Sequence, residues 1–191
     1  MSSILLTGPA VEPVTLDDAK AYLRVEHDAD DDVIAALIAG ARVNVEAQTR
    51  RALITQSWRL VFDAWPANGR IAVLPVPLVA LTAARVYKLD GTTQAISSGV
   101  FVADIASAPA VLSFSAGALA PPGRVVAGIE LDIEAGYGDE PDDVPAPLRQ
   151  AIRVLVAHWY ENRGLVAIGH NVAVLPETAA ALIRPYRVLA L

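Results

Sequence analysis

The chain has 191 residues, 54% of them hydrophobic, with 15 Lys and Arg against 21 Asp and Glu for a formal net charge of −6. That length suits one compact domain or two small ones, and its 35 alanines raise the hydropathy without supplying much core volume, because alanine buries little area. The acidic balance argues against tight sequence-independent DNA binding, which is driven by counterion release from Lys and Arg, and the lack of cysteine excludes disulfides and thiolate metal sites.

The densest apolar stretch, Val33 to Ala41, is far short of the roughly 18 to 20 residues of a membrane-spanning helix, so no span is expected. Met1 to Leu6 carries no basic residue and meets Gly8-Pro9 before an apolar run can form, which predicts no secretory signal and a reducing cytoplasm. Charge is uneven along the chain: residues 1–50 sum to −5, residues 51–140 to −2 and residues 141–191 to +1.

Thr15-Leu16-Asp17-Asp18 has the form of a capping box, with Thr15 placed to accept from the Asp18 amide, and predicts a short helix from about Leu16 to Arg24. The acidic run Asp28-Ala29-Asp30-Asp31-Asp32 then leads into apolar residues at 33, 34, 37, 38, 41 and 45, which predicts a second helix from about Asp31 to Arg51. Arg42, Glu46 and Arg50 lie four apart on its other face and can pair there.

Near Leu53 the period changes. Trp58, Leu60 and Phe62 alternate with Ser57, Arg59 and Asp63 as in a strand with one face buried. Turn signals recur at Pro66-Ala67-Asn68-Gly69, Asp90-Gly91, Ser97-Ser98-Gly99 and Pro121-Pro122-Gly123, with short β-rich runs between them. The clearest strand is Ile129 to Glu134, while Pro75 and Pro77 mark an edge or crossover. Helix returns with Leu148, Ile152, Leu155, Val156 and Trp159 on one face, with Gly164 suited to its C′ position. A last short helix is expected to open at Pro176, as its first residue, and to end before Pro185. The order predicts an α+β fold: N- and C-terminal helices, residues 1–53 plus 139–191, form one small bundle, and residues 54–138 form an inserted antiparallel β lobe.

Searches for chemistry come up nearly empty. His158 and Glu161 share a helix face as a metal pair could, yet nothing completes a ligand set, and His27 and His170 stand in loops. Asp28, Asp30 and Asp32 match the first positions of a calcium loop, but Val33 and Ala39 stand where Gly and Glu are needed. The same aspartates suit a solvated helix start or an acidic surface that repels DNA or meets a basic partner. No nucleophile elbow or phosphate-cradling glycine motif occurs, so no enzyme activity and no cofactor are expected. Trp58, Trp65, Trp159 and Tyr160 lack the basic groove that base stacking requires and read as core or subunit contact.

Val14 to Val25, Asp31-Asp32 and Glu46 to Gln56 resemble the start of tailed-phage head–tail connector (adaptor) proteins. Gly136-Tyr137-Gly138-Asp139, Val144 to Ile152, His158 to Arg163, Leu175-Pro176 and Leu182 to Arg187 are similar to later parts of that family, also found in phage-like gene transfer agents. The resemblance implies a structural subunit, not an enzyme, that is assembled in the bacterial cytoplasm and placed in the neck of a virion or phage-like particle. There it forms a ring with copies of itself, usually twelve, beneath the portal ring and offers a surface to a stopper or tail terminator protein. DNA passes through such a ring without specific binding, and no membrane is involved. Twelve copies would carry about −72 formal charges. Asp28, Asp30, Asp31 and Asp32 are then candidates for the channel lining or an acidic outer surface. Arg42, Glu46, Arg50, Arg149, Arg153 and Trp159 are candidates for the subunit interface. The segment Arg184, Pro185, Tyr186, Arg187, Val188, Leu189 and Leu191 is too apolar for a free tail and is expected to dock on the portal. Other readings are a stopper or tail-completion protein, a β-lobe binding module for host or capsid surfaces, and a metal-dependent hydrolase or nuclease using His158 and Glu161.

Overall fold

A strict in-out alternation from Ile129 to Ala135 seats the middle strand of the larger sheet. The computed structural model describes residues 2–115, 117–162 and 176–189 and divides the chain into two compact units. The expected α+β class is found, with four helices and antiparallel sheets.

The strand unit takes in residues 2–9, 55–137 and 188–189. Its strands are β1 (Ser2–Thr7), β2 (Gln56–Phe62), β3 (Arg70–Val73), β4 (Leu78–Tyr87), β5 (Thr93–Ile96), β6 (Val102–Asp104), β7 (Ala110–Ser113) and β8 (Ile129–Ala135). A five-stranded sheet runs β1-β2-β8-β4-β5, and a three-stranded sheet runs β3-β7-β6. Because β8 pairs Leu131 with Leu60 on one side and Ala84 on the other, its odd-numbered residues share one apolar face with both neighbours. Ile129, Leu131 and Ile133 are fully buried there, each contributing about 1.5–3 kcal/mol by the burial of its side chain. Pro75 and Pro77 lie in the crossover that carries the chain from β3 in one sheet to β4 in the other, as their missing amide donors require. Trp65, Phe101 and Phe114 meet edge to face or tilted, with ring centroids 5.4–6.1 Å apart, and the Trp65 indole N–H donates to the Ala120 carbonyl at 2.9 Å.

The sequence reading placed no strand at Ser2–Thr7, where β1 pairs along the outer edge of β2 with all six residues exposed. Its alternation is invisible because neither face is covered.

The helical unit takes in residues 10–54 and 138–187. Its helices are α1 (Leu16–Leu23), α2 (Asp31–Thr49), α3 (Ala146–Glu161) and α4 (Glu177–Ile183), with α2 and α4 both packed on α3. The Thr15 hydroxyl accepts from the Asp18 amide at 3.1 Å, so α1 starts where its cap predicts. In α2 the buried stripe is Ile34, Ile38, Ala41, Val45 and Thr49: four of the six expected apolar positions are buried, while Val33 is 41% exposed and Thr49 joins the stripe. Thr49 is buried because its hydroxyl donates back to the Val45 carbonyl at 2.7 Å. The helix ends at Thr49, short of the expected Arg51, because Arg50 takes a left-handed conformation at φ 59°. Pro176 is the N-cap of α4, one place earlier than expected, and the expected C′ residue of α3, Gly164, lies outside the described residues.

Candidate functional site

Four aspartates cluster at the start of α2, and two of them share one cation. Lys20, on α1, reaches Asp28 and Asp31 at 2.7 Å each, and the Asp30 carboxylate accepts from the Tyr160 hydroxyl of α3 at 2.5 Å. Hydrogen bonding to Asp28 and Asp31 raises the Lys20 pKa, and the bond from Lys20 holds the Asp28 carboxyl below its ordinary value. Three of the four aspartates expected on a channel or acidic surface therefore also tie helices together. Asp28 and Asp32 remain exposed, so the patch still presents negative charge to water.

Of the six residues expected at a subunit interface, Arg42 and Glu46 pair with one another. Arg42 donates to Glu12 at 2.8 Å and to Glu46 at 2.7 Å, while the other Glu46 oxygen accepts the Leu53 amide at 2.9 Å. Burial opposes the Arg42 charge, but the two glutamates outweigh it and its pKa is raised. Arg149 pairs with Asp142 at 2.5 Å and Arg153 with Asp18 at 3.3 Å. Trp159 lies beside Gly40, where an added Cβ would sit 3.6 Å from the indole. Arg50 caps α2 with its side chain exposed.

After α4, residues Arg184 to Tyr186 form one turn of 3-10 helix. Arg51 pins that turn: its Nε donates to the Tyr186 carbonyl at 2.7 Å, and its guanidinium lies 6.0 Å from the Tyr186 ring centroid. Arg184, Pro185 and Arg187 are exposed. Val188, expected on the portal-docking segment, is only 6% exposed and groups with the strand unit, whereas Leu189 is 83% exposed; Leu191 lies outside the described residues.

Sequence reasoning missed a charge lattice on the second face of the five-stranded sheet. Asp132 accepts from Arg59 at 2.7 and 3.0 Å and from Arg85, and Glu130 accepts from the Tyr87 hydroxyl at 3.0 Å. Both acids stand on β8 where alternation alone points to open water, yet their side chains are 12–13% exposed. The signal that finds them is a pair of arginines at Arg59 and Arg85, on the two strands that flank β8.

Among the described residues no group of three or more His, Cys, Asp or Glu could hold a metal ion. His158 sits on α3 with a ring nitrogen 3.4 Å from the Asn162 side-chain amide; His170 lies outside the described residues. No described helix is long and apolar enough to cross a membrane.

Residues 13–98 match the family described as Phage gp6-like head-tail connector protein. No curated protein matches the chain in sequence. Among solved structures, a chain in the "Neck of empty GTA particle computed with C6 symmetry" has a TM-score of 0.80 and 23% identity, with 100% of this chain and 97% of that one covered. A chain in the "Virion of native gene transfer agent (GTA) particle" gives 0.80 and 22% over the same shares. A chain in the "Neck of native GTA particle computed with C12 symmetry" gives 0.73 and 26%, covering 98% of this chain and 97% of that one. The chain thus resembles head–tail connectors in sequence over its first half and shares its fold with neck chains from end to end.

Proposed function

We propose that the chain is a head–tail adaptor subunit of a phage-like particle, assembling as a ring, with twelve copies, under the capsid portal. The observation that carries this is the likeness over 98% of its length to a chain of a neck computed with C12 symmetry, joined to the connector match at residues 13–98. In this reading the N- and C-terminal helices form one small bundle that makes the ring, residues 54–138 form an inserted lobe, and the finished ring extends the DNA channel and receives a stopper or tail terminator protein.

The outer face of α2 supports ring contacts. Val33, Ala36, Val43 and Ala47 recur on one side of the helix and face water, with Val33 41% and Val43 54% exposed. An amphipathic helix of a free-standing domain would carry charge there. A cyclic ring joins two different surfaces of each copy, so this face would meet another part of the next subunit. The subunit-interface residues Arg42, Glu46, Arg149, Arg153 and Trp159 would then act from positions already fixed by partners within the chain. Asp28 and Asp32, with Asp30 and Asp31 behind them, are assigned to the channel side, where negative charge lets DNA slide. The exposed C-terminal residues Arg184, Pro185, Arg187 and Leu189, with the half-buried Tyr186 among them and Leu191 beyond, are assigned to the portal.

The test is to mix the purified chain with portal rings of the same particle and image the complex by electron microscopy. A cap of twelve copies on the portal is expected. Six copies would move the chain to the stopper position, and bare portals at high micromolar chain would overturn the adaptor reading.

A further inference from the structure

Two helix ends converge on the turn that Arg51 pins. Arg50 is the C-cap of α2 and Arg184 the C-cap of α4, and Arg187 follows Tyr186 directly. The Arg51 bond to the Tyr186 carbonyl therefore brings four arginines of the 15 basic residues to one end of the helical unit. Arg50, Arg184 and Arg187 are exposed and have no carboxylate partner among the described residues. Arg42, Arg59, Arg85, Arg149 and Arg153 each have at least one, while Arg24, Arg70 and Arg124, on other elements, also have none among the described residues.

Cations at helix C-termini offset the helix dipole, and that accounts for part of the pattern. Two C-termini present about −0.5 charge each, roughly one unit in all, against four guanidiniums. Arg51 is already engaged, so Arg50, Arg184 and Arg187 leave about two positive charges over, on a chain whose net charge is −6. The clamp also fixes the patch in shape, because a tyrosine held by its own carbonyl and ring cannot swing the two arginines beside it away from α2.

We propose that this arginine face, Arg50, Arg184 and Arg187 around the Arg51–Tyr186 clamp, binds a carboxylate-rich protein surface. Guanidinium forks match carboxylates two bonds at a time, and arginine with tyrosine is the composition of protein-binding hot spots. Nucleic acid is the weaker fit, since three or four cations on an acidic subunit release few counterions. Naming the portal as the acidic partner rests on the adaptor reading; the chemistry of the patch does not.

The experiment compares the full chain with the triple variant Arg50→Glu, Arg184→Glu, Arg187→Glu, used once circular dichroism shows the helix signal kept, and with the neutral control Arg50→Gln, Arg184→Gln, Arg187→Gln, which removes the charge without placing acids at two helix C-termini. Three probes are used: portal rings of the same particle, poly-L-glutamate and a 30-base-pair DNA duplex. Portal affinity is expected to fall about 30-fold, roughly threefold for each reversed arginine, with a shallower salt dependence. Poly-L-glutamate is expected to bind the original chain and not the variant. Unchanged portal affinity in the variant would overturn the proposal while leaving the adaptor reading standing. If portal rings bind neither chain, the adaptor reading fails and poly-L-glutamate decides the patch alone. No binding of poly-L-glutamate, or a stronger and charge-reversible hold on DNA, would also overturn it.

Discussion

Glu46 offers the sharpest test of whether its surroundings hold the chain itself together. One carboxylate oxygen accepts the Leu53 amide at 2.9 Å and the other accepts Arg42 at 2.7 Å, and the two side chains are only 14% and 13% exposed. Leu53 is fully buried, so Glu46→Ala strands its amide at a cost of about 1–3 kcal/mol. Arg42 keeps Glu12, which limits the further loss to about 0.5–1 kcal/mol after allowance for solvent. The sum is about 2.5 kcal/mol, or a Tm lower by about 5–10 °C for a chain of this size. Glu46→Gln retains an acceptor for Leu53 and loses only the charge, so it should cost about 1 kcal/mol. Urea and thermal unfolding followed by the helix signal at low micromolar chain would measure both. A loss under about 0.5 kcal/mol for Glu46→Ala, or equal losses for the two variants, would refute the reasoning.

Leu131→Ala, at the centre of the five-stranded sheet, should cost about 2–5 kcal/mol in urea unfolding, and a value below 1 would show that β8 is not the core strand. Asp132→Ala should cost about 2 kcal/mol, since it leaves Arg59 and Arg85 facing Glu130 alone across a half-covered sheet; an unchanged midpoint would mean the lattice is fully solvated. The Asp28 carboxyl should titrate below 3.8 by NMR and return towards that value in Lys20→Met. Because its folded pKa is depressed, its contribution is complete above the unfolded value and vanishes as pH falls through the folded one. The raised Lys20 group contributes fully below 10.5 and is lost as pH climbs past its folded pKa. A midpoint for Asp28 at or above 3.8 would contradict the Lys20 contact.

Local signals were legible wherever one face of an element is buried and its cap is made by neighbours in sequence. The alternation of Ile129 to Ala135 and the Thr15 cap both rest on such short-range patterning. The exposure of Val33 and the burial of Thr49 on α2 were not legible, because valines and alanines occupy both faces of the helix and a threonine's bond back to the Val45 carbonyl leaves no mark in apolar periodicity. Nor could the partners of Asp132 be read, since Arg59 lies 73 and Arg85 47 residues away. The surfaces divide in the same way. The segment from Arg184 onward stood out as too apolar for a free tail, whereas its tie to the end of α2 depends on an Arg51–Tyr186 bond spanning 135 residues.

The long middle segment of the strand unit, residues 55–137, opens with β2 and closes with β8, and Gln56 pairs directly with Ala135. The lobe is therefore a zipped stem, closed at its root, and whatever is added or trimmed beyond the root is felt there only weakly. Doubling a flexible connection costs about 0.6 kcal/mol in closure entropy. β1 pairs along β2 from Ser57 to Val61 and so widens the stem on that side. Residues added at turns far from the Gln56–Ala135 pair are thus expected to change the surface there while leaving that pairing in place.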